Sequence, residues 1–191
     1  MLAQLSLSRT LDTVRDLPVR DRVLVMDGTP VASDTHDFKV IAQASGGLDE
    51  RLAAICDAAP GPLLIIGMDT PQFSFDDVAP LLRDWSTHPA VNDAWMGPAT
   101  DGGFWALALR RPAGELIRGV TMSTETTGAS QHARLLAAGL SVGILPELRD
   151  MDHFTDALEI AALIPGSSFS HFVDEAALEA RHPAAVTGAD R

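Results

Sequence analysis

Short apolar runs alternate along the chain with segments in which apolar residues recur at helical spacing. The spacing predicts helices over residues 2–17, 48–59, 74–86, 128–138, 156–164 and 172–181, and strands over residues 22–26, 38–42, 62–67, 91–96, 104–109 and 141–145. Helices that alternate with buried strands pack on the faces of a sheet. We therefore predict an α/β sandwich with a mostly parallel sheet.

Acidic residues follow three of the predicted strands. The unbroken apolar run at 62–67 is typical of a strand buried on both faces, and Asp69 comes directly after it, where open α/β sheets bind their ligands. Asp101 lies in a tight loop after the strand at 91–96, and Asp150 and Asp152 follow the strand at 141–145. Because Mg²⁺ is held by one or two carboxylates plus substrate phosphate oxygens, this arrangement suits a nucleotide-diphosphate site.

Each of these loops also has a structural interpretation. Asp69 could be a turn or cap residue, Asp101 could belong to a common Asp-Gly turn, and Asp152 could cap the next helix. The glycine pair at 102–103 either lets a sugar or phosphate approach the backbone or forms a hairpin that needs positive φ.

Three further side chains are open to two interpretations. Glu125, in a Ser-Thr-Glu cluster, is either a base or acceptor-binding group or part of a helix-capping arrangement. His153, beside the last acidic loop, could ligate a metal, although a single loop histidine is usually solvated. Trp105, beside the glycine pair, is either a core residue or the border of a sugar face.

Composition and charge exclude several classes of protein. The formal net charge of −12 argues against a nucleic-acid-binding surface, which needs a basic face. Cys56 is the only cysteine, so the chain has neither a disulfide framework nor a thiolate metal site. No apolar run approaches the roughly 18 residues of a membrane span, and no signal-peptide pattern opens the chain. We therefore expect a soluble, cytoplasmic protein.

Length and apolar content suit a single main domain. The chain has 191 residues, of which 46% are hydrophobic. We place this domain at residues 1–164 and expect a C-terminal helix and tail at 165–191, which begins with a Gly/Ser linker at 165–170. Residues 33–37 are polar and predict a surface loop.

Five segments carry a resemblance to a known family: GLDERLAAICDA, PLLIIGMDTPQ, MGPATDGGFWALALRRP, MSTET and LRDMD. In this order and at similar spacing they resemble bacterial glycosyltransferase-A-type transferases, often called radical-SAM/selenodomain-associated transferases, which are related to nucleotidyltransferases of molybdopterin biosynthesis. The resemblance covers residues 2–164. It implies the fold of a nucleotide-diphospho-sugar transferase, a three-layer α/β/α sandwich with a mixed, mostly parallel sheet.

The resemblance also implies ligands and roles. The donor would be a nucleotide sugar or a nucleoside triphosphate, the acceptor a small molecule, and the cofactor a divalent metal, Mg²⁺ or Mn²⁺. The implied metal ligands are Asp69 and Asp152, with Asp150 as an alternative to Asp152. The implied catalytic residues are Asp101 and Glu125. The residues implied to bind substrate are Gly67, Asp69, Gly102, Gly103 and Thr124.

One departure from the family pattern concerns the amino terminus. Members usually begin with a strand and a basic loop, K-x-P-x-x-G-x-x-K-T-R-L, that would cradle the nucleotide phosphates, and this chain starts in the helix after it. We therefore expect a sheet without that first strand, whose exposed edge a partner chain could pair, as in a homodimer. Two hypotheses follow. The protein is an active transferase of sugar or nucleotidyl groups, or an inactive binding or scaffold protein on the same fold.

Overall fold

Helices and strands follow the predicted order, with shifts at their ends. The computed structural model describes residues 1–31 and 35–181, so part of the predicted loop at 33–37 and the predicted tail beyond 181 lie outside the described residues. The helices are α1 (Leu2–Asp16), α2 (Leu48–Ala58), α3 (Phe75–Ser86), α4 (Thr127–Ala137), α5 (Phe154–Leu163) and α6 (Ser168–Arg181). The strands are β1 (Val23–Met26), β2 (Lys39–Ala42), β3 (Leu63–Ile66), β4 (Ala94–Pro98), β5 (Phe104–Leu109) and β6 (Val142–Ile144).

The strands form two sheets. β1 and β2 pair in parallel, and the larger sheet has the order β3–β5–β4–β6. β5 is antiparallel to β3 and to β4, whereas β4 and β6 are parallel, so β3, β4 and β6 all point the same way. The predicted α/β fold with a mixed sheet is confirmed, and the carboxyl ends of three strands lie at one end of the larger sheet.

Apolar side chains cover both faces of this sheet. Alternation along β3 sends Leu64 and Ile66 to one face and Leu63 and Ile65 to the other. The first face packs against α1 and α3 in a cluster that includes Val14, Val78, Leu81, Trp95 and Trp105. The second packs against α2 and α4 in a cluster that includes Leu52, Cys56, Leu107, Leu109 and Leu135. The two helical layers and the sheet between them form the three-layer α/β/α sandwich.

Strand β3 is less buried than its apolar run predicts. All four residues of Leu63–Ile66 are half-buried, because within the described residues β3 pairs only with β5 and its other edge has no strand partner. The prediction is right that both faces are covered and wrong about the depth of the strand. Asp69 follows the carboxyl end of β3 as predicted.

Two helix ends have the caps that the sequence indicates. The backbone N–H and the hydroxyl of Ser74 both donate to the Asp77 carboxylate, at 2.8 and 2.7 Å, which closes the first turn of α3. After α4, Gly139 has a φ of +79° and donates its N–H to the Leu136 carbonyl at 2.9 Å.

Helix α6 begins before its predicted start. Residues 165–170 were expected to be a linker, yet the helix starts at Ser168. The reason is Ser167, whose hydroxyl oxygen accepts the N–H of Ser170 at 3.0 Å and so caps the helix. Phe169 is fully buried in the cluster that joins α6 to α5 and α1. None of the helices in residues 1–31 and 35–181 is long and apolar enough to cross a membrane.

Candidate functional site

The pairing of β4 with β6 brings two acidic loops together. It continues beyond both strands, since Leu148 donates its N–H to the Pro98 carbonyl at 3.1 Å and accepts the N–H of Thr100 at 3.0 Å. Asp101 therefore lies beside the loop that contains Asp150.

The loop after β3 joins the same group. The Asp69 carbonyl accepts the N–H of Met151 at 2.9 Å, and the Gln72 side-chain amide donates to the Arg149 carbonyl at 2.6 Å. These two hydrogen bonds hold residues 69–72 against the last acidic loop. All three strand-end loops thus meet at one end of the sheet.

Three carboxylates come close together at this point. Asp101, Asp150 and Asp152 each place one oxygen within 4.8 Å of the other two, and we call these three residues the carboxylate set. Asp150 is half-buried, and the other two are exposed. The metal pair implied by the family resemblance is Asp69 with Asp152. The structure brings Asp152 together with Asp101 and Asp150, and leaves Asp69 beside the set.

Repulsion among these groups affects their protonation. Desolvation by the surrounding protein and the negative charges of Asp101, Asp152 and Asp69 raise the pKa of Asp150 above its ordinary value. Desolvation also raises the pKa of Asp69, and the charges of Asp152 and Asp101 add to that effect. The four carboxylates therefore destabilise one another when all are ionised, and a cation bound among them would offset that repulsion.

A cleft of about 330 Å³ opens over the carboxylate set. It is lined by Thr100, Asp101, Arg149, Asp150, Asp152, His153 and Asp156. Arg149 brings a positive charge to the wall of the cleft and forms ion pairs with Asp156 at 3.3 Å and with Glu159 at 3.0 Å. His153 is the N-cap residue of α5, and its backbone N–H donates to Asp156 at 2.8 Å. The capping role considered for Asp152 thus falls to its neighbour.

A second hollow, of about 460 Å³, lies at the end of α3, away from the acidic loops. Its carboxylate, Asp84, accepts hydrogen bonds from the backbone N–H groups of Val91 and Asn92 and from the Trp95 indole, at 2.7, 3.0 and 3.0 Å. These bonds fix the turn that leads into β4, so this carboxylate has a structural role.

The Asp101 loop packs directly on the segment before α4. Asp101 Oδ1 accepts the N–H of Gly103 at 2.6 Å, so this side chain closes its own turn and also belongs to the carboxylate set. Gly102 has a φ of +90°, and a Cβ atom there would lie 2.1 Å from the Glu125 carbonyl oxygen. Gly128 donates its N–H to the Gly102 carbonyl at 2.8 Å. In this structure Gly102 and Gly128 therefore allow the two backbones to pack closely.

Thr124 and Glu125 lie at the start of α4. The Thr124 N–H donates to Thr127 Oγ1 at 3.0 Å, and its carbonyl accepts the Thr127 N–H at 3.0 Å, so these bonds close the turn before α4. The N-cap residue is Thr126, whose side chain makes no capping hydrogen bond. Glu125 is exposed, and its backbone touches the Asp101 loop. The two implied catalytic residues, Asp101 and Glu125, therefore occupy one corner of the molecule, with Glu125 outside the carboxylate set.

Gly67 allows the Asp69 carboxylate to fold back over the end of β3. A Cβ atom on Gly67 would lie 2.6 Å from Asp69 Oδ1. Gly67 also extends the pairing of β3 with β5, because its N–H donates to the Trp105 carbonyl at 2.9 Å. Trp105 is buried and donates its indole N–H to the Pro146 carbonyl at 2.9 Å, so the core interpretation applies to it.

Sequence reasoning missed the side chains that hold these loops. Arg149 stands beside Asp150 in the sequence, and the only signal for it was a basic residue inside an acidic loop. On α1, Ser6, Arg9 and Thr13 donate hydrogen bonds to the loop that carries Asp69. Their signal was a polar stripe at helical spacing, which gives no indication of its partner.

Comparison with known proteins shows a family and a fold. Residues 10–124 match a family described as an uncharacterized protein conserved in bacteria (DUF2064). The fold is similar to a crystal structure from Desulfovibrio desulfuricans G20, of a protein provisionally named a nucleotide-diphospho-sugar transferase, with a TM-score of 0.76. The two sequences are 21% identical, and the match covers 95% of this chain and 85% of that chain. No curated protein matches the chain.

Proposed function

We propose, from the premise that the chain belongs to the bacterial DUF2064 family, that the protein is a metal-dependent transferase acting on a nucleotide-activated donor. The donor is a nucleotide sugar or a nucleoside triphosphate, and the acceptor is a small molecule. One observation carries the proposal: four carboxylates, from Asp69, Asp101, Asp150 and Asp152, converge where β3, β4 and β6 end. The similarity of the fold to a provisionally named nucleotide-diphospho-sugar transferase supports it.

The ligand atoms of the site suit a hard divalent cation. Mg²⁺ and Mn²⁺ prefer carboxylate oxygens and keep positions for water and phosphate oxygens. The carboxylate set supplies three such oxygens, and desolvation together with the negative charges of Asp101, Asp152 and Asp69 raises the pKa of Asp150. A bound cation would neutralise the donor diphosphate and stabilise the charge that develops on the leaving phosphate.

The remaining side chains of the corner have complementary tasks in this proposal. Asp69, beside the carboxylate set, would add negative charge next to the bound cation. The Arg149 guanidinium would contact phosphate oxygens, for which its planar fork is well suited. Glu125, exposed beside the Asp101 loop, would accept the proton of the acceptor hydroxyl, and Asp101 would orient that hydroxyl. Glycosyl and nucleotidyl transfer would use the same groups and differ in whether carbon or phosphorus is attacked.

Ligand binding to the unmodified chain tests this proposal. We would measure thermal denaturation and calorimetry with nucleoside triphosphates and nucleotide sugars, each with and without Mg²⁺ or Mn²⁺. We expect one class of nucleotide to stabilise the protein only when the metal is present, by roughly 3 kcal/mol at a hundredfold excess over its dissociation constant. The stabilisation should be lost in Asp150→Asn and reduced in Asp69→Asn.

The control is Asp174→Asn, which makes the same change on the exposed surface of α6, outside the cleft. It should bind metal and nucleotide like the unmodified chain. If no nucleotide binds under any metal condition, the transferase proposal fails, and the alternative of an inactive binding or scaffold protein replaces it.

A further inference from the structure

We propose that helix α1 positions the candidate site, because a polar stripe of Ser6, Arg9 and Thr13 holds the loop that carries Asp69. These three residues act through the backbone of residues 68–73 and touch no substrate, so they are positioning residues. The use that we assign to this positioning rests on the proposed function, whereas the contacts themselves do not depend on it.

The stripe forms hydrogen bonds to the loop at residues 68–73, near its beginning, middle and end. The Ser6 hydroxyl donates to the carbonyl of Met68, and Arg9 Nε donates to the carbonyl of Pro71 at 2.7 Å. Farther along α1, Thr13 Oγ1 lies 3.3 Å from the carbonyl of Phe73 and 3.3 Å from the carbonyl of Arg9 in its own helix, so its one proton is shared between the two acceptors. Positions separated by three and seven residues lie on one face of a helix, so a single face of α1 follows the whole loop.

The loop is held from outside, by α1 on one side and by the last acidic loop on the other. Thr70 Oγ1 and Gln72 Oε1 are buried and have no hydrogen-bond partner among the described residues. Two side-chain oxygens of the loop therefore add nothing to its hold on the rest of the protein. The charged donor of Arg9 makes the strongest of the three bonds, because a charge-assisted hydrogen bond is roughly twice as strong as a neutral one.

The same loop is the link between α1 and the last acidic loop. On its other side, the Asp69 carbonyl accepts the Met151 N–H and Gln72 donates to the Arg149 carbonyl. Bonds from α1 thus reach residues 149–151 through one short segment. Loss of the bonds from α1 should loosen Asp69 and its contact with the loop that contains Asp150, and so weaken the cation site.

Hydrogen exchange of the Met151 amide tests the proposal without any metal. We would compare Arg9→Met, which keeps the apolar stem, and Ser6→Ala with Thr10→Val. Thr10 Oγ1 donates to the Ser6 carbonyl at 3.0 Å within α1, so this control removes a buried hydrogen bond of the same helix that does not reach the loop. We expect exchange at Met151 to be roughly tenfold faster in Arg9→Met and Ser6→Ala than in the unmodified protein and the control.

Mn²⁺ affinity, measured by electron paramagnetic resonance, then connects the loop to the site. We expect Mn²⁺ to bind roughly tenfold more weakly to Arg9→Met, as is typical when groups that orient metal ligands are lost. Arg9→Lys, which keeps a cationic donor, should restore most of the affinity. In an Asp69→Asn background, Arg9→Met should still weaken Mn²⁺ binding, because the substituted residue keeps the backbone carbonyl that accepts the Met151 N–H.

The outcomes separate the two proposals. Unchanged exchange at Met151 in both variants overturns the positioning role, and so does unchanged Mn²⁺ affinity when the unmodified protein binds the ion. If the unmodified protein binds no Mn²⁺, the proposed function fails. In that case faster exchange at Met151 still supports the role of α1 in holding the loop, and unchanged exchange overturns it.

Discussion

The aspartates of this protein differ in the direction in which the fold moves their pKa. A hydrogen bond from Arg118 lowers the pKa of Asp57, and the backbone N–H of His153 lowers the pKa of Asp156, as expected for carboxylates that hold elements together. Asp69 and Asp150 have raised pKa values, because they are desolvated and face other carboxylates. Asp150 lines the cleft and Asp69 lies beside it. Groups with this pattern at a cleft are candidates for function, since folding alone gives no reason to assemble them.

Asp150→Asn should stabilise the metal-free protein at neutral pH, by roughly 1–2 °C in the midpoint of thermal denaturation. A carboxyl group with a raised pKa binds more protons in the folded than in the unfolded state, so its contribution to stability falls as pH rises through that raised pKa. The advantage of the variant should therefore shrink as pH falls toward 3.8, the ordinary value, and denaturation between pH 4 and 8 would measure it.

Asp174→Asn serves as the control for this measurement, because it removes an exposed carboxylate from α6. Its midpoint should match that of the unmodified protein throughout the range. A variant at position 150 that is less stable at neutral pH would contradict the repulsion that we infer, as would a gain that does not change with pH.

At the scale of elements, the Asp101 loop and the start of α4 pack backbone against backbone, which side chains at the contact would prevent. The Asp101 loop meets the start of α4 where Gly102 and Gly128 have no Cβ atoms, and the Gly128 N–H donates to the Gly102 carbonyl. This contact holds Glu125 beside Asp101. The sequence predicted the two glycines of the loop as a turn or a ligand-approach site, and it could not reveal that their partner is the segment before α4.

Gly102→Ala is expected to destabilise the protein by about 3 kcal/mol or more, since the new methyl group would overlap the Glu125 backbone and the residue must keep a positive φ. Gly119→Ala is the matched control, because Gly119 has a φ of +81° and no atom within 4 Å of an added Cβ. It should lose only about 1 kcal/mol, from the backbone conformation alone. Denaturant unfolding measures both, and equal losses would show that the contact with Glu125 is unimportant.

Across the whole molecule, local patterns predicted the elements, and long-range contacts decided the site. Helical spacing and apolar runs predicted the order of elements. The rule that ligands bind at the carboxyl ends of strands predicted that Asp69, Asp101 and Asp150 lie at one crevice. The composition of the carboxylate set depends on pairing through Leu148, which lies beyond the apolar strand. The hydrogen bond from Arg9 to the Asp69 loop joins residues 62 positions apart in the sequence, and no local pattern contains it. Ser167 is a local signal for the start of α6, but the surrounding glycine and serines led to the prediction of a linker instead.

The formal net charge of −12 leads to a prediction for the molecule as a whole. Self-repulsion destabilises a compact acidic protein, and salt screens it, since the Debye length falls from about 30 Å at 0.01 M to about 10 Å at 0.1 M. The midpoint of thermal denaturation should therefore rise with NaCl. MgCl₂ at matched ionic strength should raise it further, because a cation bound among the four carboxylates adds binding energy to screening. In Asp150→Asn the NaCl effect should persist while the additional Mg²⁺ effect is lost. Identical midpoints in the two salts would mean that Mg²⁺ acts on the four carboxylates by screening alone, which would contradict the cation site.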